Sequence, residues 1–171
     1  RKGWFFISTR HSSYIMRISP TGHIEHIHYG GYIPSSSEGI RKIQGPDDIR
    51  LGDGTYYDED HQHIFLSRML QEYSVPGKGD TRESALVAEY RDGLITLDFI
   101  YNSHRIYSGK DYAILPRVSG EGAETLELTL CDTVLPVYLV LRYTSYEEED
   151  VILRSAEIRN RMDEGILLRT V

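Results

Sequence analysis

The sequence predicts an all-β fold, an antiparallel β-sandwich. Three observations lead there. Apolar and polar residues alternate with period 2 along most of the chain, the spacing that turns one side of a strand toward a core. The apolar runs are short and separated by clusters of Gly, Pro, Asp, Asn and Ser. Helical periodicity is scarce. About ten to a dozen such strands, with no repeat at a fixed period and no low-complexity tract, suit a sandwich built from meanders.

Taken in order, Trp4 to Ile7 reads as an opening strand, and Ser13 to Ile18 as the next, with Tyr14, Met16 and Ile18 on one face. Pro20-Thr21-Gly22 is a turn. Ile24 to Tyr29 follows, with Ile24, His26 and His28 expected on one side and Ile27 and Tyr29 on the other. From about Pro34 to His63 the texture changes to Ser, Gly, Pro and Asp, which predicts a long insertion loop. Strands are expected again at Ile64 to Leu70, Ser84 to Tyr90, Ile95 to Tyr101 and, briefly, Arg105 to Tyr107. Asp92-Gly93 is a hairpin signal and Val75 to Asp80 is turn-rich. Thr125 to Leu130 turns Leu126, Leu128 and Leu130 inward, and Cys131-Asp132-Thr133 is expected to turn the chain. Val137, Leu139, Leu141 and Tyr143 make the next apolar face, and Glu147 to Asp150 caps its hairpin with Val151 to Asn160. Ile166 to Val171 reads as a core-like final strand, whose apolar ending suggests a sheet with further strands beyond it. An unpaired edge of that kind would promote association.

Length and composition set the outer bounds. The 171 residues suit one domain or part of a larger one, here a single β-sandwich module over 1–171. The formal charge of −7 and scattered Lys/Arg argue against a nucleic-acid partner, which needs a clustered basic face. No apolar run approaches the roughly 18 residues of a membrane span. The lone Cys131 allows no internal disulfide, so the cytoplasm is the expected setting. No leader segment is visible in a chain that opens at Arg1. Thirteen Tyr against four Phe and one Trp suit half-buried strands and surfaces that meet polar ligands such as sugars.

Several constellations could carry chemistry, and each has a plainer reading. His26-x-His28 and His61-x-His63, with Asp58 and Asp60, have the residue types of a metal site. Local hydrogen bonding is preferred, and no metal or cofactor is expected. Glu147 to Asp150 could be paired catalytic carboxylates, but four adjacent acids in a turn are better read as solvated. Gly77-Lys78-Gly79-Asp80 lacks the spacing of a phosphate loop and reads as a turn. Cys131 has no obvious base beside it. Tyr29, Tyr32, Tyr56, Tyr57 and Trp4 could stack on sugars, against a plainer reading as sheet and loop aromatics.

Six blocks in register bring a family into view: Ser13 to Met16 with Gly22 to Gly30, Leu70 to Tyr73 with Gly79 to Ala85, His104 to Lys110, Ala123 to Leu128, Tyr143-Thr144, and Asp150 to Ser155. The order resembles the N-terminal domain of glycoside hydrolase family 36 α-galactosidases over nearly the whole chain. That resemblance implies part or all of a β-supersandwich similar to galactose mutarotase, followed in the parent by a (β/α)₈ barrel with two catalytic aspartates and retention of configuration. It implies no catalytic residue in this segment, since a barrel needs roughly 250 residues and alternating helices. It further implies a homo-oligomer, a tetramer, in which the long loop reaches a neighbouring subunit's sugar site. The residues expected to contact sugar are then Asp53, Asp58, Asp60 and His61. Two departures bear on specificity. Family members carry an Asp and an Arg in the loop, but no Arg stands beside Asp58 to Gln62 here, although Arg50 lies nearby, and Tyr73-Ser74 replaces Tyr-Pro. Galactose-containing oligosaccharides such as melibiose and raffinose are the expected substrates, or a related α-linked sugar. The alternatives are a stand-alone carbohydrate-binding module and an interaction sandwich without a sugar role.

Overall fold

The computed structural model describes residues 3–36, 54–91, 93–110 and 122–170. Among them run ten strands: β1 (Trp4–Ser8), β2 (Ser12–Ile18), β3 (Ile24–Gly31), β4 (Val87–Tyr90), β5 (Gly93–Ile95), β6 (Phe99–Ser108), β7 (Glu124–Asp132), β8 (Val137–Tyr146), β9 (Val151–Asn160) and β10 (Leu167–Thr170). They form three antiparallel sheets in the orders β1-β2-β3, β10-β4-β5 and β6-β7-β8-β9. The all-β antiparallel sandwich expected from the alternation is the fold observed.

One core joins the three sheets. Phe5, Ile7, Tyr14, Met16 and Ile24 from the first sheet and Ala88 from the second meet Leu126, Leu128, Leu130, Val137, Leu139, Leu141 and Tyr143 from the third. The β7–β8 register puts Leu126 opposite Tyr143, Leu128 opposite Leu141 and Leu130 opposite Leu139. The period-2 reading of both strands therefore holds residue by residue. The opposite face of this sheet is closed by charge. Glu127 accepts from Arg105 Nε at 2.8 Å and Arg142 Nε at 2.7 Å, and Arg142 reaches on to Glu157 at 2.7 Å. Bidentate guanidinium geometry lets such a ladder bury charged stems between strands. β8 and β9 pair without a break from Val137↔Asn160 to Tyr146↔Val151. Their turn, Glu147 to Asp150, is tied to the β1–β2 turn, where the Asp150 carboxylate accepts from the Thr9 hydroxyl and from the His11 backbone N–H.

Five local expectations are corrected. Ile64 to Leu70 is not a strand. Ile64, Phe65, Leu66 and Met69 are all buried, a spacing incompatible with alternation, and the segment is wound into turns in which Phe65 O accepts from Arg68 N and Met69 N. Only its end touches a sheet, through His26 N to Leu70 O at 2.7 Å and Glu72 N to Ile24 O at 2.9 Å. The run Ile95 to Tyr101 is divided, Ile95 ending β5 and Phe99 opening β6, and β6 carries on unbroken through Arg105 to Tyr107. Polar Asn102 is absorbed as a register shift against β7, with Tyr101 opposite Leu130 and Ser103 opposite Thr129. Cys131 lies within β7, opposite Tyr138, and not in a turn.

His26 and His28 do not share a face. The β2–β3 register passes from Met16↔His26 to Ile15↔His28, so Ile27 is an extra residue and the alternation reverses there. Tyr29 joins His26 beside Tyr14, at ring separations of 5.5 and 4.8 Å. Finally, β10 pairs with β4 but is exposed along its length, with Leu167 at 52 % and Leu168 at 38 %, so it is not a core strand within these residues.

Candidate functional site

Of the residues expected to contact sugar, Asp53 lies outside the described residues. Asp58, Asp60 and His61 lie together on a short 3₁₀ turn, Glu59–His61, for which Asp58 is the N-cap in extended conformation. Asp58 Oδ1 accepts from His61 N at 2.8 Å and from His61 Nδ1 at 2.7 Å. Burial opposes ionisation of Asp58, but the hydrogen bonds from His61 outweigh it and hold its carboxyl below the usual range. Glu59 and Asp60 are exposed and project acidic oxygens from the turn.

What fixes this turn to the sandwich begins one residue earlier. Tyr57 donates its hydroxyl to Asp98 Oδ2 at 2.8 Å, and its backbone N–H bonds Ile64 O at 2.8 Å. Asp98 lies between Leu97 and Phe99 with its side chain 3 % exposed. It also accepts from His23 Nε2 at 2.9 Å and Thr133 Oγ1 at 3.4 Å, and it pairs with Lys78 Nζ at 3.2 Å. His23 Nδ1 is hydrogen bonded in turn to Thr21 Oγ1 at 2.7 Å. Burial alone would raise the Asp98 carboxyl. The hydrogen bonds from His23 and Tyr57, with the charges of His23 and Lys78, overcome that and bring it to about 2. The same environment pushes the Tyr57 hydroxyl up, through burial first and its bond to Asp98 second.

The glycines around Lys78 shape this pocket. Gly77 has a φ of +96° and Gly79 of +81°; a Cβ on Gly77 would lie 2.5 Å from Thr96 Cγ2. The predicted turn is therefore real, and its product is the placement of Lys78. A second clamp sits beyond the turn. Arg82 bonds Asp80 through both Nε (2.9 Å) and a terminal nitrogen (2.8 Å), and caps the carbonyls of Leu66 (2.8 Å) and Met69 (2.7 Å). It adds a second donor to carbonyls that already accept one backbone N–H each, Leu66 O from Met69 N and Met69 O from Gln71 N.

Another buried carboxylate, Glu72, joins two sheets. Its side chain, 1 % exposed, accepts from Tyr14 OH, His26 Nδ1 (2.9 Å), Tyr143 OH and Arg154 (2.8 Å). Burial again opposes ionisation. The bonds from His26 and Tyr143, the Arg154 charge and the Tyr14 bond together leave Glu72 below its ordinary value. Burial, then the Glu72 charge, drives Tyr143 and Tyr14 upward. This cluster floors a shallow recess of about 480 Å³ rimmed by Tyr29, Leu70, Arg82 and Glu83. A larger recess of about 910 Å³ runs along β1 and β6, lined by Trp4, Phe6, His104, Ile106 and Glu124.

The remaining candidates scatter. His26 is bound to Glu72, His28 to Gly31 O at 3.3 Å and His61 to Asp58. Among the described residues, no three His, Cys, Asp or Glu side chains come together as a metal-binding group. No helix among them is long and apolar enough to cross a membrane. Of the aromatics, Tyr29 (63 %), Tyr32 (53 %) and Tyr56 (44 %) are exposed, Tyr57 is committed to Asp98, and Trp4 stacks on Phe6 under Arg17. Sequence reasoning missed Asp98 and Glu72 as organisers. Asp98 had a usable signal, an acid within the otherwise apolar Leu97-Asp98-Phe99-Ile100. Glu72 had only its place in the Gln71-Glu72-Tyr73 block.

The described residues define an all-β antiparallel sandwich in which buried carboxylates tie sheets and connections together. Residues 22–171 match the glycosyl hydrolase family 36 N-terminal domain, and the chain belongs to that family. It is 30 % identical over 176 residues to the α-galactosidase AgaA of Geobacillus stearothermophilus, covering 96 % of this chain and 22 % of that protein. It is 33 % identical over 165 residues to the bifunctional α-galactosidase/sucrose kinase AgaSK of Mediterraneibacter gnavus, covering 91 % of this chain and 17 % of that one. The crystal structure of AgaA superimposes with a TM-score of 0.87 at 31 % identity, over 98 % of this chain and 23 % of AgaA. Variants of AgaA have been crystallised with raffinose and with stachyose. The chain thus spans about a fifth of the length of these curated relatives.

Proposed function

We propose that this chain serves as the non-catalytic front of an α-galactosidase, a retaining glycosidase acting on terminal α-linked galactose in oligosaccharides such as melibiose and raffinose. Its work is to pack against the catalytic barrel, to support assembly into a tetramer, and to lend the insertion loop to a neighbouring subunit's sugar site. The observation that carries this reading is the match of nearly the whole chain to the N-terminal quarter of α-galactosidases. The chemistry is consistent with a silent segment. Glu72 and Asp98 have carboxyls below their ordinary values, with their oxygens committed to internal donors, which is the reverse of what a general acid needs. In the loop, Asp58, Asp60 and His61, with Asp53, are the proposed sugar contacts. Carboxylates suit the hydroxyl donors of a neutral sugar, and the exposed Asp60 is free of the capping bonds that occupy Asp58. A bacterial cytoplasm is the proposed setting.

The test compares this chain alone with the full-length protein on 4-nitrophenyl α-galactoside. Turnover by the full-length protein and none by the chain is the expected result; turnover by the chain alone sinks the reading. The exposed rings of Tyr29, Tyr32 and Tyr56 favour a second reading, a carbohydrate-binding module that works by itself. Calorimetry of the chain against galactose, melibiose and raffinose separates the two. Submillimolar binding by the chain alone favours the second.

A further inference from the structure

We infer that Asp98 is a positioning residue for sugar binding: through its bond to Tyr57 it sets where the Asp58–His61 turn stands. The inference rests on the reading above, in which the insertion loop supplies sugar contacts.

The geometry is a continuous chain of contacts from core to loop. Thr21 bonds His23, His23 bonds Asp98, and Asp98 accepts the Tyr57 hydroxyl. The Tyr57 ring is held on three further sides. His23 meets it edge-on at 5.1 Å, Lys78 Nζ sits 5.3 Å over it, and His61 meets it at 6.2 Å. His61 is the residue that closes on Asp58 through two bonds. Tyr57 is thus gripped by the sandwich on one side and by the turn's own histidine on the other. Beyond that grip, two backbone bonds close the base of the turn, Tyr57 N to Ile64 O at 2.8 Å and Ile64 N to His61 O at 2.9 Å. The 3₁₀ segment is three residues long and buries none of them, and a single short turn has no intrinsic stability in water. The small apolar cluster of Ile64, Leu66 and Met69 packs against Tyr57 and steadies the segment that follows the turn, but it makes no polar bond that fixes where the hydroxyl points. The hydroxyl bond to Asp98 does.

A contact of this kind acts on affinity. A turn that is free to wander binds the same sugar less often in the productive pose, so removing the tether lowers affinity while leaving the chemical step on the barrel intact. Tyr57→Phe removes one hydroxyl and keeps the ring with its His23, Lys78 and His61 contacts. In the full-length enzyme it is expected to raise KM for raffinose about five-fold, with kcat within about twofold of the parent value. Asp58→Ala, which removes the turn's cap and a proposed contact, is expected to raise KM at least as much. Tyr57→Phe added to Asp58→Ala should then raise it by less than the product of the two single effects, because without its cap the turn transmits less of the tether to Asp60 and His61.

A purely structural role predicts something else: a lower melting temperature with KM unmoved. That outcome for Tyr57→Phe, with Asp58→Ala still raising KM, overturns the positioning role and leaves the loop reading standing. KM unmoved in both variants overturns the loop reading and the inference with it. A fall in kcat with KM constant also overturns it. Asp98→Asn keeps the side chain's size and weakens the Tyr57 and His23 bonds together; if it folds, it should reproduce the Tyr57→Phe shift, and a parent-like KM there counts against the proposal.

Discussion

Glu72 and Asp98 are chemically alike and mechanically different. Both are carboxylates almost excluded from solvent, with side chains 1 % and 3 % exposed. Both are kept ionised by four side-chain partners that overcome the cost of burial. The partners of Glu72 stand on strands: Tyr14 on β2, His26 on β3, Tyr143 on β8 and Arg154 on β9. It therefore bolts one sheet of the sandwich to the other. The partners of Asp98 stand on connections: His23 and Lys78 in turns, Thr133 after β7 and Tyr57 in the insertion. It therefore fixes what the sandwich carries. The same group stabilises a fold in one place and poses a loop in the other, according to what its donors are attached to.

The largest effect that would test this contrast is loss of the bolt. Glu72→Ala leaves Arg154, His26 and two tyrosine hydroxyls without their shared acceptor. Breaking a buried charged network from one side costs about 3–5 kcal/mol. In a domain of this size the melting temperature should fall by about 10 °C. A change of a degree or two would mean that water replaces the carboxylate and that the sheets are held by apolar contacts alone.

Acid should dissect the pair next. Asp98 stands at about 2 in the fold, below the ordinary carboxylate range, so its stabilisation is complete above the unfolded value and is lost as pH falls toward 2. The shift corresponds to about 2 kcal/mol. Glu72 is lowered too, and its contribution is lost in the same direction. Denaturant titrations between pH 6 and pH 2 should show a steeper loss for the parent chain than for Asp98→Asn, which has no proton to take up there. Parallel curves would contradict the assignment. The smallest effect is expected from Lys78→Met. Its side chain is 39 % exposed, and an ion pair with that much solvent contributes about 0.5–1 kcal/mol. A loss above about 2 kcal/mol would make Lys78, and not Tyr57 or His23, the main partner of Asp98.

The strand pattern was legible because alternation is a local property. The inward residues of β7 and β8, Leu126 to Leu130 and Val137 to Tyr143, needed only a count by twos, and so did the Glu147 to Asp150 hairpin. Where the count failed, one residue had been inserted. Ile27 in β3 reverses the face of His28, and Asn102 in β6 disguises one strand as two. A bulge is chosen by the partner strand, so its own sequence does not announce it. The segment from Ile64 misled for another reason. Its apolar residues serve a small separate cluster with Tyr57, with Arg82 bonding the carbonyls of Leu66 and Met69 beside their backbone donors.

By itself the sequence determined that the protein is an antiparallel β-sandwich, and its spaced blocks pointed to the family to which it belongs. Only the tertiary structure decided that Glu72 and Asp98 organise it. Glu72 meets Tyr14 across 58 positions and Arg154 across 82, and Asp98 meets His23 across 75. Alternation and turn chemistry act over a few residues, whereas a buried charge is stabilised by whichever donors the packed sheets bring to it, and no spacing along the chain records that encounter.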